Sequence, residues 1–209
     1  MGVTDTDRLY RKGLRLEYFT VGYNVLEAVF SIVFGGFASS IALVGFGLDS
    51  VVESLSGIVL IWRLHQHNKI SEEEEERIEK MATRFVAITF FILGAYVLFE
   101  SVYKLATAEA PETSMPGIFI AVASLVAMPL LAWQKYRTGK QIGSMSLVAD
   151  SKETVACFYL SIALLLGLGA HLLFGFWQAD PIAGLVIVGF LFKEGWESWK
   201  ECSGEEEEA

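Results

Sequence analysis

Two pairs of metal-binding residue types stand inside long apolar stretches of this sequence. The pairs are Asp49 with Glu53 and, far downstream, Glu153 with Cys157. Within each pair the residues are four positions apart, which places them one turn apart on the same face of a helix. Ionisable side chains within a membrane span are costly to bury and usually mark an ion or substrate path. If the two helices touch, the four side chains can close one site.

The chemistry of such a site is that of a divalent cation and of protons. Carboxylates that are ionised together in apolar surroundings repel one another and lose their hydration, and either a divalent cation or protons relieve both costs. Because metal binding expels protons and protonation expels metal, the site suits an exchange of the two. Three carboxylates and one thiol permit tetrahedral coordination of Zn²⁺, which is the favoured ion. Carboxylate-rich sites also suit Mn²⁺, Fe²⁺ and Co²⁺.

Apolar blocks of span length recur along the whole sequence. Each is about 20 residues long, enough for a helix to cross a hydrocarbon core of about 30 Å. Barrel strands would instead be about 10 residues long and alternate in polarity. The sequence therefore predicts an all-α membrane protein with six transmembrane helices, at residues 17–36, 41–63, 84–106, 116–134, 146–174 and 181–199.

These spans divide the chain into a cytoplasmic arm at 1–16, a transmembrane domain at 17–199 and a short acidic tail at 200–209. Lys and Arg are concentrated in the arm and in the loops at 63–84 and 135–140, whereas the opposite loops have almost none. Cytoplasmic loops carry the excess of Lys and Arg. We therefore expect both termini to lie in the cytoplasm, in a protein of the plasma or inner membrane.

Other polar residues are candidates for contacts with the metal ligands or for a proton path; they are Asn24, Glu27 and Asp150. Hydrogen bonds between helices explain the first two nearly as well. Lys152 is expected to neutralise Asp150 or to extend to the cytoplasmic edge of the membrane. His65 and His67 form a candidate weak site that gathers ions at the cytoplasmic mouth, but a solvated charged connector is the favoured interpretation of that loop.

The order of these motifs resembles the cation diffusion facilitator family of zinc and manganese exporters. Residues 40–53 resemble the signature of the family's second span. Residues 144–153 resemble the lead-in to its fifth span, with an Ala-Asp dipeptide three residues before the first metal ligand. Residues 180–184, Asp-Pro-Ile-Ala-Gly, resemble the start of its sixth span.

This resemblance implies a six-helix transport domain that exports metal from the cytoplasm in exchange for protons. It places four residues at the family's transport-site positions: Asp49, Glu53, Glu153 and Cys157. The last three depart from the family's usual pairs, which are His or Asp followed by Asp. The family's C-terminal cytoplasmic domain is not recognisable, so the chain resembles a short branch of the family. A homodimer formed through the membrane helices is expected.

Two other functions remain open at the level of sequence. One is a membrane protein that binds metal or organises a partner without transport, and the other is a proton-coupled exporter of organic cations. An enzyme is not expected, because His65, His67 and His171 lie away from the acidic residues and no nucleophile–base set is readable. The expected partners are lipid, metal and protons, with no organic cofactor and no nucleic acid. The net charge of −9 owes much to two glutamate runs.

Overall fold

The computed structural model of the protein describes residues 3–66, 71–108, 112 and 114–203. All regular secondary structure in these ranges is helical, which confirms the predicted all-α fold with six helices. The helices are α1 (Val3–Phe37), α2 (Ile41–Gln66), α3 (Glu72–Thr107), α4 (Met115–Ile142), α5 (Met145–Phe174) and α6 (Ala179–Ser203).

Several helices extend beyond the predicted spans. The described part of the 1–16 arm forms the first turns of α1, and α4 continues eight residues past the predicted end at 134. Helices α1 to α5 are long and apolar enough to cross a membrane. With 25 residues, α6 is about 37 Å long, but its second half carries the charged residues Lys193, Glu194, Glu197 and Lys200.

The helix at the centre of the bundle is α2. It packs against α1, α3, α5 and α6, and further contacts join α3 to α6, α4 to α5, α5 to α6 and α1 to α4. In its most apolar stretch 61% of the residues are buried, compared with 28–33% in the other four apolar helices. The polar side chains of Asp49, Ser50, Glu53 and Ser54 are therefore surrounded by protein rather than by lipid.

The hairpins α1–α2 and α4–α5 begin their second helices in the same way. Each turn contains a serine whose hydroxyl accepts a hydrogen bond from the backbone three residues later. Ser40 accepts from the Leu43 N–H at 3.2 Å, and Ser144 accepts from the Leu147 N–H at 3.3 Å. This is the usual capping of a helix start, which satisfies one of its unpaired N–H groups.

A glycine brings the two helices of each hairpin together at the turn. A Cβ on Gly35 would lie 2.9 Å from the Val44 nitrogen, and a Cβ on Gly139 would lie 3.1 Å from the Val148 nitrogen. The matched residues differ by 104 positions (35 and 139, 44 and 148), as do the two capping serines (40 and 144). The chain is therefore built from two similar halves, each of three helices.

The two halves have opposite orientations in the bundle. The α1–α2 turn lies beside the start of α6, where Asp180 bonds to Ser40. The α4–α5 turn lies near the start of α1, where a Cβ on Gly13 would be 3.3 Å from Leu147. Repeats of inverted orientation are common in secondary transporters, which bind their substrates between the two halves.

Candidate metal centre

A small cavity inside the bundle is lined by carboxylates from three helices. Its lining residues are Asp49 and Glu53 of α2, Glu153 of α5, Glu194 of α6, and the apolar Phe90 and Ala156. The volume is about 10 Å³, roughly what one water-sized occupant requires. Asp49 is 8% exposed and Glu53 6% exposed. Several carboxylates with so little access to water form an arrangement that a divalent cation neutralises.

The two α2 carboxylates reach the cavity because α2 is helical and tightly packed at this level. Asp49 and Glu53 are one turn apart on a continuous helix, as their spacing predicted. Gly47 precedes them and allows α2 to lie against α1, since a Cβ there would be 3.0 Å from the Ile32 nitrogen. The close contact fixes which face of α2 points toward α5 and α6.

Cys157 lies beside the carboxylates but not on the cavity wall. It is 1% exposed, its thiol is 3.9 Å from Glu27 Oε2, and it interacts with the carboxylates of Asp49 and Glu53. Of the four predicted ligands, three line one cavity and the fourth adjoins two of them. Among the described residues, no three His, Cys, Asp or Glu side chains already converge on a point where an ion could be held. A cation bound by these residues would require their side chains to rotate toward a shared centre.

Glu27 and Asn24 face the interior from α1. The Ser50 hydroxyl donates to Glu27 Oε2 at 2.8 Å, and this is the oxygen that the Cys157 thiol approaches. Glu27 is therefore one contact away from a predicted ligand. Asn24 is fully buried, and neither of its amide atoms has a hydrogen-bond partner within the described part of the chain.

Asp150 belongs to a buried ion network at the α4–α5 end of the bundle. Its carboxylate pairs with Lys135 of α4, whose Nζ also lies 3.3 Å from Glu17 Oε1. Lys135 and Glu17 are fully buried and Asp150 is 4% exposed. The expectation that Lys152 neutralises Asp150 is wrong, because Lys152 is exposed and Lys135 takes that place.

The position of Lys135 also corrects the predicted loop at 135–140. Because α4 continues to Ile142, Lys135 is a helical residue that points into the bundle, not a loop residue in solvent. The network extends toward the cavity through Thr154, whose hydroxyl accepts from Lys135 at 3.3 Å and donates to Glu53 Oε1 at 2.9 Å. Asp150 is thus connected to a cavity carboxylate through two intermediates.

His65 lies apart from the cavity. It is exposed near the end of α2, with Nε2 3.0 Å from the Tyr18 hydroxyl, and His67 lies outside the described residues. The weak site at the cytoplasmic mouth therefore stays a prediction.

At the end of the bundle opposite the α4–α5 turn, polar side chains connect three helices. Asp180, at the start of α6, accepts from the Ser40 hydroxyl and from the Ile41 N–H, the latter at 2.9 Å. Lys104 of α3 donates to the Ser39 carbonyl. The start of α6 and the end of α3 are thereby tied to the α1–α2 turn.

The sequence did not identify the interior positions of Glu17 and Lys135, which are fully buried, or of Glu194, which is partly buried. For Glu194 a signal existed in the repeat. The same interval of 104 residues relates Asp49 to Glu153, Glu53 to Cys157 and Phe90 to Glu194 (49 and 153, 53 and 157, 90 and 194). Five of these six residues line the cavity. The internal repeat thus identifies α6 as a third source of side chains for this centre.

The sequence matches the model of one protein family. The family model described as "cation efflux transmembrane domain" matches residues 18–205. A relative from Bacillus subtilis, named a cadmium, cobalt and zinc/H⁺-K⁺ antiporter, is 21% identical over 210 residues, covering 96% of this chain and 65% of its own length. This agrees with the expectation that the chain is not an enzyme.

Two further relatives show the same extent of similarity. An uncharacterized transporter from Methanocaldococcus jannaschii is 24% identical over 174 residues, covering 81% of this chain and 61% of its own length. Transmembrane protein 163 of Xenopus laevis is 20% identical over 178 residues, covering 85% of this chain and 62% of its own length. The chain spans about three fifths of the length of these two relatives.

Proposed function

Because the chain belongs to the cation efflux family, we propose that it exports a divalent metal cation, most favourably Zn²⁺, from the cytoplasm in exchange for protons. The observation that carries this proposal is the cavity on which Asp49 and Glu53 from one half of the chain meet Glu153 from the other. Opposed halves around a buried ionisable site suit alternating access, in which rocking exposes the site to each side of the membrane in turn.

The choice of cation rests on the donor atoms. Asp49, Glu53 and Glu153 offer oxygen, and Cys157 offers sulfur beside two of them. Zn²⁺ accepts both kinds of donor in four-coordinate sites, whereas oxygen donors alone also suit Mn²⁺, Fe²⁺ or Co²⁺. The Bacillus subtilis relative carries zinc, cadmium and cobalt in its name, which is consistent with a site of mixed donors.

The negative charge of the cavity carboxylates supports proton exchange. Lys135 pairs with Glu17 and Asp150, and its hydrogen bonding extends to Glu53 through Thr154. Because this buried cation is shared with two other carboxylates, protons can neutralise the cavity carboxylates when metal is absent. Binding a metal then releases those protons, and the reverse reaction reloads the site.

The proposed orientation places both termini in the cytoplasm. Removing Lys135 from the loop count leaves Arg137 and Lys140 at the α4–α5 end, where the basic residues of the first turns of α1 also lie. Lys and Arg are thus still concentrated at that end. A homodimer formed through the membrane helices, in a plasma or inner membrane, completes the proposal.

Metal flux in proteoliposomes tests the proposed function. Purified protein is reconstituted with a pH-sensitive dye inside the vesicles, and Zn²⁺, Mn²⁺, Fe²⁺ or Co²⁺ is added outside. The expected result is metal-dependent proton movement that Asp49→Asn and Glu153→Gln abolish. The matched control is Glu197→Gln, which removes a carboxylate that is 52% exposed on α6.

The outcomes separate the rival functions. Proton movement that persists in both cavity variants contradicts the assignment of the site. Tight metal binding by calorimetry without flux would instead indicate a metal-binding or scaffold protein, and proton movement driven only by organic cations would indicate an exporter of that class.

A further inference from the structure

We propose that Glu194 of α6 is a ligand of the transported cation and raises the preference of the site for oxygen-binding ions such as Mn²⁺ relative to thiophilic ions such as Zn²⁺. This inference rests on the proposed function, because it assumes that the cavity is the transport site. It adds a third helix to a centre for which the sequence indicated two.

The position of Glu194 is the first support. Its side chain lines the same cavity as Asp49, Glu53 and Glu153, and with 17% of its side chain exposed it lies partly open to the surroundings. It is about 14 Å from the end of α6 at a rise of 1.5 Å per residue. Glu153 is about 12 Å from the start of α5 by the same measure. The two carboxylates therefore reach the cavity from similar depths at the α4–α5 end.

The cavity has an unsatisfied acceptor that a cation would complete. Glu53 is 6% exposed; its Oε1 accepts from Thr154, but its Oε2 is buried without a hydrogen-bond partner within the described ranges. A buried carboxylate oxygen that lacks a donor is costly. A metal ion shared with Glu194 would satisfy it.

The internal repeat gives an independent reason. Phe90 of α3 and Glu194 of α6 occupy matching places in the two halves, and both line the cavity. Of the three matching pairs, 49/153 and 90/194 thus line the cavity with both members, and the pair 53/157 lines it with Glu53 alone. The half with Glu194 supplies a charged donor where the other supplies an aromatic ring, so the centre is asymmetric.

Packing holds Glu194 against the cavity wall. A Cβ on Gly195 would lie 3.1 Å from the Phe90 Cβ and 3.4 Å from the Ala87 carbonyl oxygen, so α6 approaches α3 closely next to the cavity. The Lys193 ammonium is 3.5 Å from Glu194 Oε1 but is itself 59% exposed. An exposed pair of this kind contributes little, so Lys193 is a weak competitor for the carboxylate.

The donor set explains the proposed selectivity. The four cavity carboxylates, which come from three helices, form an all-oxygen set that suits Mn²⁺ and similar hard cations, whereas the Cys157 thiolate beside them favours Zn²⁺. The carboxylates and the thiolate therefore have opposite effects on the ratio of Mn²⁺ affinity to Zn²⁺ affinity. Removing Glu194 should shift the ratio toward Zn²⁺, and removing the thiol should shift it toward Mn²⁺.

Calorimetry on the full chain in detergent tests the proposal, with Mn²⁺ and Zn²⁺ titrated separately. Glu194→Gln is expected to weaken Mn²⁺ binding about tenfold or more, in the range typical of altered metal sites, and Zn²⁺ binding less. Cys157→Ser is expected to show the reverse order. Glu197→Gln is the matched control, because Glu197 also pairs with Lys193 at 3.0 Å but does not line the cavity.

The results distinguish this inference from the proposed function. If Asp49→Asn abolishes binding while Glu194→Gln leaves the Mn²⁺ to Zn²⁺ ratio at the wild-type value, the transport site stands and the role of Glu194 is refuted. If the wild-type chain binds neither ion, both are refuted. Glu194→Asp keeps the carboxylate on a shorter side chain, so it should restore part of the Mn²⁺ affinity; equal loss in Glu194→Asp and Glu194→Gln would contradict ligation.

Discussion

The Thr154 hydroxyl of α5 donates a 2.9 Å hydrogen bond to Glu53 Oε1 of α2, and so joins the two helices that carry the predicted metal pairs. Thr154 directly follows Glu153, a cavity residue, and accepts in turn from Lys135 at 3.3 Å. The bond holds one oxygen of Glu53 and leaves Oε2, which has no hydrogen-bond partner within the described residues, as the acceptor available to the proposed cation. Under the proposed function, the Thr154 hydroxyl is an outer partner that orients Glu53 for metal binding.

Thr154→Val should weaken metal binding about 10- to 100-fold, because partners of metal ligands contribute to affinity in that range. It should also lower the free energy of unfolding by about 1–3 kcal/mol, since Glu53 Oε1 loses its donor. Calorimetry and thermal unfolding in detergent measure the two effects. The control is Thr138→Val, the same change at a buried threonine whose hydroxyl lacks a partner in the described part of the chain. Equal affinities in the two variants would refute the orienting role.

Lys135→Met should be strongly destabilising. The change leaves Glu17 and Asp150 as buried carboxylates without their cation, and breaking a buried pair in this way costs about 3–5 kcal/mol. Adding Glu17→Gln and Asp150→Asn should restore most of the lost thermal stability, because the uncompensated charges are then removed. Lys140→Met, at an exposed position beside Tyr136, should have little effect. A single Lys135→Met variant as stable as Lys140→Met would contradict the network.

The fold was largely predictable from the sequence because each span is a long apolar block. The spacing of Asp49 and Glu53, and of Glu153 and Cys157, also placed each pair on one helix face. The sequence could not predict the ends of the helices. Charged residues such as Lys135 and Glu17 are typical of solvated segments, and their burial is understood only once their partners on other helices are known. Both are buried by mutual pairing across α1 and α4.

The third helix of the site was missed for a related reason. Glu194 lies between Lys193 and Gly195, in a charged segment that reads as the end of a span. Only the interval of 104 residues that links it to Phe90, and the packing of α6 on α3, place it at the cavity. For Cys157 the spacing placed the residue near the carboxylates, and the structure adds that its thiol lies beside the cavity rather than on its wall.

Asp180→Ala should lower the free energy of unfolding by about 1–3 kcal/mol. Its carboxylate accepts hydrogen bonds from the Ser40 hydroxyl and the Ile41 N–H. The carboxylate also lies at the start of α2, where its negative charge interacts favourably with the positive end of the helix dipole. Because the two residues share one interaction, Ser40→Ala and Asp180→Ala should be less than additive, by about 0.5–3 kcal/mol. Thermal or denaturant unfolding of the double-mutant cycle measures this coupling. Strict additivity of the two changes in unfolding free energy would show that Asp180 does not join the start of α6 to the α1–α2 turn.

Gly35→Ala and Gly139→Ala should destabilise the protein by similar amounts, since the two glycines have the same role in the two halves. An added Cβ would lie 2.9 Å from the Val44 nitrogen in one hairpin and 3.1 Å from the Val148 nitrogen in the other. Backbone cannot move as a flexible side chain does, so each change should cost about 1–3 kcal/mol. Gly22→Ala is the matched control, because a Cβ at that helical position meets nothing within 4 Å. Thermal unfolding in detergent should therefore rank Gly22→Ala at or above the wild type and both turn variants below it. A turn variant as stable as Gly22→Ala would contradict the close approach in that hairpin and, with it, the structural equivalence of the two halves.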